Sequence, residues 1–294
     1  MQVREAMPTS PAPVSARADS ALRMGRLTRV LLYLVAIVLS ILWVVPSLWI
    51  LLVSFKPQGS NVLNVASWFQ APYSVGNYVY AFTHAPILLW LLNSFLVALI
   101  VTVLVLLLSV LCAFPISQNR FPGRGLVVFL LALGLMVPGE ALLIPFYLLF
   151  RSLHMLDGYG ALILPSIAVP FGVLLVKQFF DGLSREYFEA ARMDGCGVLR
   201  MIFMIAVPLA RPALAALAIF TFLGSWNNFL WPYISITSPN VMTVPVGIPF
   251  FNSSYHTDYT LPATADVIVS IPVFIVYVLF QRHIIRGFAF SGLK

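Results

Sequence analysis

The chain has 294 residues, 61% of them hydrophobic and only 9% charged, with a mean hydropathy of +0.96. A water-soluble domain carries about 45–50% apolar and about 25% charged residues, so this composition excludes one water-facing globule and makes the bilayer the natural solvent. A net charge of +7 suits nucleic acid only when it forms a basic face on a soluble module; none is present, and no nucleic-acid partner is expected.

In chain order, residues 1–29 are polar and rich in Pro, Ser, Ala and Arg, the composition of a disordered cytosolic tail. The apolar run that follows is too long for a signal-peptide h-region of about 7–15 residues and reads as an uncleaved first span. Six stretches are long enough to cross about 30 Å of hydrocarbon as helix: 30–53, 87–114, 126–150, 160–180, 212–236 and 263–280. Pro46, Pro138, Pro145, Pro165, Pro170 and Pro272 fall inside them, as membrane helices allow where neighbours satisfy the freed backbone groups. Cys112 and Cys196 form no disulfide framework or metal cluster and are expected to be small packing residues.

Lys and Arg set the orientation. With the N-terminus inside, the inner segments hold fifteen of the 17 basic residues, and only Lys56 and Arg151 lie outside. The expected fold is therefore an all-α membrane protein of six transmembrane helices with both ends in the cytosol. The outer segments 57–86 and 239–262 are aromatic, with Trp68, Phe69, Tyr73, Tyr78 and Tyr80 in the first and Tyr255 and Tyr259 in the second. Such residues serve either as interfacial anchors or as a surface for an external partner.

The longest inner connection, 181–211, has helical signals of its own. Ser184 suits an N-cap and Glu186 the first turn, where the helix dipole favours an acid. Gly195 suits the position just past a helix end. A second helix is expected after Gly197, with Leu199, Ile202, Phe203 and Ala206 as an apolar stripe and Pro208 as its stop. On physics alone the pair is either an interfacial amphipathic unit or a contact for another protein.

Glu189-Ala190-Ala191, then Asp194-Gly195, then an apolar run ending in Pro208-Leu209 resembles the "EAA loop" of ABC importer permeases. Three further segments resemble the maltose-transporter-like, sugar-importing branch: Val137 to Pro145, Trp226-Asn-Asn-Phe-Leu-Trp231-Pro, and Gln281 to Gly287. The likeness runs from about Arg29 to the C-terminus, making 30–294 one permease domain of the type I ABC importer fold. Cys196 departs from the alanine usual there, and the tail after Gly287 is shorter than in many members.

The resemblance implies a second permease subunit, two cytosolic ATPase subunits, an extracytoplasmic binding protein and a sugar substrate. It makes Glu189, Ala190, Ala191, Asp194 and Gly195 the contact that couples the ATPases to the spans. The chain has no Gly-x4-Gly-Lys-Ser/Thr loop, so ATP and Mg are expected on partner subunits, with no cofactor and no catalytic activity on this chain. Trp226, Asn227, Asn228 and Trp231 combine amides with aromatic faces and either meet substrate or tie helices together. Glu140 lies deep in a span, where an acid is a functional candidate by default; it either lines the pathway or bonds backbone freed by the prolines. The rival class is an ion-coupled secondary transporter, which predicts paired repeats and buried ion ligands; no repeat is visible. Another polar solute is the remaining alternative substrate.

Overall fold

The computed structural model describes residues 26–251 and 258–291, with side chains beyond residue 278 described only at Gln281. Most of the tail, the segment from Asn252 to Thr257 with Tyr255, and most of the C-terminal motif lie outside the described residues. All regular structure among the described residues is helical. Contacts divide the chain into two units, one ending at Leu51 and the other beginning at Leu52.

Helix α1, Arg26–Ser54, begins at Arg26 rather than at residue 30. It is apolar all round, with a mean hydropathy of 2.6, as a lipid-facing span should be. From Leu52 on, a short outer layer contains α2 (Val65–Trp68) and α3 (Gly76–His84). Its aromatics are used locally. Trp68 donates its indole N–H to the Val62 carbonyl at 2.8 Å, Tyr78 shares a hydrogen bond with Ser54 at 2.7 Å, and Lys56 sits 4.0 Å over the Tyr73 ring.

Helix α4, Ile87–Gln118, runs unbroken for 32 residues through the second unit's core. It packs on α7 (Tyr159–Ile167), α8 (Pro170–Asp181) and α11 (Arg211–Trp226). Its buried face runs through Val97, Val101, Val105, Ser109, Ala113 and Phe114. Small and β-branched side chains let backbones approach closely where no hydrophobic effect drives helices together. Gly172 of α8 carries this furthest: a Cβ there would lie 2.4 Å from the Ser109 hydroxyl.

Among the described residues, α1, α4 and α14 (Thr260–Ser291) meet the length and hydropathy expected of single spans, and three more spans exist if each bent helix pair counts as one. Residues 126–150 were expected as one helix. They form α5 (Arg124–Met136) and a second piece, Gly139–Ser152, at 92° to it. That second piece is a 3-10 turn followed by α6, Leu143–Ser152. Pro138 lies at this bend, where it lacks an N–H and forces Val137 into an extended conformation. The fourth span breaks by 41° between α7 and α8 ahead of Pro170. The fifth is reached through an 84° bend between α10 (Val198–Leu209) and α11, ahead of Pro212. It ends at Trp226 and resumes as α12, Leu230–Ser235.

The segment after α12 is fastened by side chains of α4 and of the connection before α7. Asn93 donates to the carbonyls of Asn240 and Met242, each at 2.9 Å, and accepts from the Tyr159 hydroxyl at 2.8 Å. Trp90 donates to the Pro239 carbonyl at 2.9 Å, and Ser94 accepts from the Val244 N–H at 2.8 Å. Asp157 accepts from the N–H groups of Thr237 and Ser238 at 2.8 and 2.7 Å. These bonds feed the chain into α13, Val244–Gly247, whose Gly247 lies against the Trp90 indole.

Two outcomes are expected. A Cβ on Gly247 would lie 2.2 Å from the Trp90 ring, so Gly247→Ala overpacks the site, at a cost of about 1–3 kcal/mol, and lowers the melting temperature of the detergent-purified protein. The two backbone N–H donors hold the Asp157 carboxyl below its ordinary range. Its contribution is therefore complete above the unfolded-state value of about 3.9 and is lost as pH falls through the folded value. Asp157→Ala should show a shallower loss of stability below about pH 4 than the parent in an acid melting series.

Candidate functional site

The connection 181–211 folds as two helices at one end of the bundle. Helix α9, Glu186–Met193, starts one residue later than a Ser184 cap implies. Arg185 stands at the cap position, and the Ser184 hydroxyl accepts from the Glu186 N–H at a long 3.4 Å. Glu186 and Glu189 lie in the first turn and Arg192 in the last, each sign matching the dipole end it faces. Gly195 has φ +76° and closes the helix as expected. Its N–H donates to the Arg192 carbonyl at 3.0 Å, and the Cys196 N–H donates to Ala191 at 2.9 Å. These are the paired bonds of a Schellman end, which a left-handed glycine permits without strain.

One face of α9 belongs to the fold and the other is free. Phe188 and Ala191 are buried. The Phe188 ring meets Phe114 edge-on at 5.5 Å, and Phe114 in turn meets Phe180 at 6.0 Å. An aromatic stack thus seats α9 on the inner ends of α4 and α8. Glu189, Ala190, Asp194 and Gly195 lie on the exposed side with Tyr187 and Met193, the latter 88% exposed. Four of the five residues singled out in the loop therefore share an accessible surface, and Ala191 is part of the seat.

Helix α10 differs from the sequence expectation in two ways. Ile202 and Ala206 are buried, together with Met201 and Ala210, but Leu199 and Phe203 are exposed, so the packed stripe is rotated. Nor does Pro208 end the helix, which continues to Leu209. Residues Ile202–Ala206 widen into a π turn, with the Val207 N–H reaching back to Ile202. The wider turn makes room for the proline ring, which would otherwise collide with the carbonyl four residues earlier. Cys196 is half-buried, whereas Cys112, expected to pack, is exposed on α4.

Asp181, which the motif reading passes over, holds the base together. Its carboxylate accepts from the Ser117 hydroxyl at 2.7 Å and from Lys177 at 2.6 Å, and Arg124 lies 3.7 Å away. Gln118 adds a bond to the Phe180 carbonyl at 3.0 Å. One acid thus joins α4, α5 and α8 five residues before the loop helix pair begins. The Lys177–Asp181 pair has i,i+4 spacing and was legible as a helix pair; Ser117 and Arg124 come from elsewhere in the chain. Asp181→Ala should lower the melting temperature by several degrees and raise hydrogen exchange in 184–197 relative to the rest of the chain.

The Trp226–Trp231 segment separates into three roles. Trp226 is 1% exposed and stacks on Phe222 at 5.9 Å; its indole nitrogen has no hydrogen-bond partner among the described residues. Trp231 donates to the Ala161 carbonyl at 2.8 Å and packs edge-on to Phe146 and Phe150 at 6.1 and 5.7 Å. Asn227 is exposed. Asn228 borders a cavity of about 280 Å3. Glu140 is exposed in the 3-10 turn between α5 and α6, away from that cavity's lining.

Residues 105–289 match the family described as binding-protein-dependent transport system inner membrane component. The arabinooligosaccharides transport system permease protein of Bacillus subtilis is 35% identical over 90% of this chain and 96% of its own length. The diacetylchitobiose uptake system permease protein of Streptomyces coelicolor is 35% identical over 92% and 89%. The sn-glycerol-3-phosphate transport system permease protein of Yersinia pestis is 37% identical over 69% and 73%. Among solved structures, a chain of a bacterial ABC transporter involved in import of the acidic polysaccharide alginate superposes with a TM-score of 0.76 over 88% of this chain and 98% of that one, at 22% identity. With that fold and that sequence match, the chain belongs to the binding-protein-dependent transport system inner membrane components and is a multi-pass membrane permease subunit of an ABC importer.

Proposed function

We propose that this chain is one half of a paired permease that carries a sugar or oligosaccharide into the cytosol by alternating access, driven by ATP hydrolysis on two partner subunits that hold the ATP and Mg. A binding protein on the outer side delivers the substrate, and both ends of the chain lie in the cytosol, as the Lys and Arg distribution favours. The observation that carries this reading is the divided helix α9. Phe188 is sunk in the aromatic seat, while Glu189, Ala190, Asp194 and Gly195 stand exposed on the other side. A short helix held this way passes a rigid-body movement of a docked ATPase to α4 and α8. Ala190 allows close approach, and Glu189 offers a charge-assisted hydrogen bond to a basic group.

The substrate class follows the names of the relatives, whose cargoes include arabinooligosaccharides, diacetylchitobiose and sn-glycerol-3-phosphate. Polyhydroxylated solutes are common to all three.

The test is uptake by the assembled complex in proteoliposomes, using a panel of arabinotriose, N,N′-diacetylchitobiose and sn-glycerol-3-phosphate. Glu189→Lys or Gly195→Asp should abolish uptake while the subunit stays inserted and paired with its partner permease. Normal ATP-coupled uptake by either variant would refute the assignment of α9 as the coupling helix.

A further inference from the structure

The cavity beside Asn228 has a lining that the motif reading did not single out. Thr221, Ser225 and Asn228 project into it at i, i+4 and i+7, with Phe220 on the same flank of α11. Ser166 and Phe171 face them from α7 and α8. Phe171 and Phe220 meet edge-on, with ring centroids 6.5 Å apart. The volume of about 280 Å3 is near the lower end of small-molecule pockets, which run from about 300 Å3, and suits one ring of a larger solute.

Three observations make this a wet binding surface rather than a packing defect. First, Ser and Thr inside helices usually return their hydroxyl to a carbonyl three or four residues back, as Ser166 does to Leu162 at 3.0 Å. The side chains of Thr221, Ser225 and Asn228 make no such bond among the described residues, so their polar groups stand free toward the cavity. Second, the chain is broken on two sides of it: at the α7–α8 bend, where Val169 is part of the lining, and after Trp226, where Asn228 is. Irregular backbone at membrane depth is tolerated where it is buried in protein or lines a water-filled space. Third, Val101 also lines the cavity and lies near the middle of the 32-residue helix α4, which places the cavity at mid-height of a span.

None of the residues around the cavity is charged. An anionic solute brought to this depth would need a cation or a dense set of donors to offset its lost hydration. Hydroxyls and an amide facing two aromatic rings instead match an uncharged sugar, whose hydroxyls exchange hydrogen bonds while its C–H face lies on a ring.

We propose that Ser166, Thr221, Ser225 and Asn228, with Phe171 and Phe220, form a subsite on this chain for one ring of an uncharged saccharide. The substrate is thereby a neutral glycan rather than a phosphorylated, sulfonated or uronic one. This rests on the importer reading but is tested by a separate readout. In a background of Cys112→Ser and Cys196→Ala, Asn228→Cys is placed in the assembled complex with its binding protein in lipid nanodiscs. It is then treated with a charged, membrane-impermeant thiosulfonate reagent. Labelling is expected, slowed at least fivefold by arabinotriose or N,N′-diacetylchitobiose and unaffected by sn-glycerol-3-phosphate. Ser225→Cys gives the same readout if the first variant does not assemble.

No labelling at either position, labelling insensitive to both neutral sugars, or protection by the anion would overturn the subsite. The importer reading would stand in each case as long as Glu189→Lys still abolished uptake. The double variant Thr221→Val/Ser225→Ala should raise the neutral-sugar concentration for half-maximal uptake about tenfold, the loss of roughly 1.4 kcal/mol. An unchanged half-saturation would count equally against the subsite.

Discussion

Every backbone N–H and C=O that leaves a helix within hydrocarbon must find a partner in the protein or in enclosed water, because lipid offers none. Three pairs of helices in this chain bend sharply, by 92°, 41° and 84°, and a proline stands at or just after each bend. Two of these breaks lie where the protein supplies what lipid cannot. The 41° break and the end of α11 border the same cavity. The 84° bend falls at Ala210, which is fully buried and donates to the Ala206 carbonyl at 2.9 Å. Long uninterrupted α4 is the complement of these breaks: it gives the broken helices α7, α8 and α11 a straight surface to pack on.

The same economy of polar groups shapes the two ends of the bundle. At one end, Asn93 uses both its amide donors and its carbonyl to tie two segments together, and Asp157 gathers two backbone N–H groups of one strap. At the other end, Asp181 joins Ser117, Lys177 and Arg124, and the Phe114–Phe180–Phe188 stack adds the apolar half of the joint. Helix α9 is thus fixed on one side by chemistry internal to this chain and open on the other. That seat ties α9 to α4 and α8, which with α7 and α11 also line the cavity.

The connection 181–211 was the most legible part of the molecule. Its signals are local: the first-turn acids, the glycine at a left-handed end, and a glycine before the second helix all act within a few residues. The structure agrees on Gly195 and Gly197 and shifts the start by one residue. Pro208 was read by a rule for soluble helices, and the chain escapes the rule through a π turn. The stripe on α10 was read from spacing of 3.6, and that turn is what rotates it, leaving Leu199 and Phe203 outside.

Sequence alone determined the solvent, the helical class and the count of apolar stretches, because composition, run length and local end signals depend only on neighbouring residues. The tertiary structure decided which stretches are straight and which are bent, that Trp226 and Trp231 are packing anchors while Asn228 borders a cavity, and that Asp181 is the joint under the loop. Those facts depend on residues such as Ser117, Arg124, Ala161 and Phe171, tens of residues away from the groups they meet. Side-chain direction around a broken helix is set by such partners, and no periodicity along the chain records them.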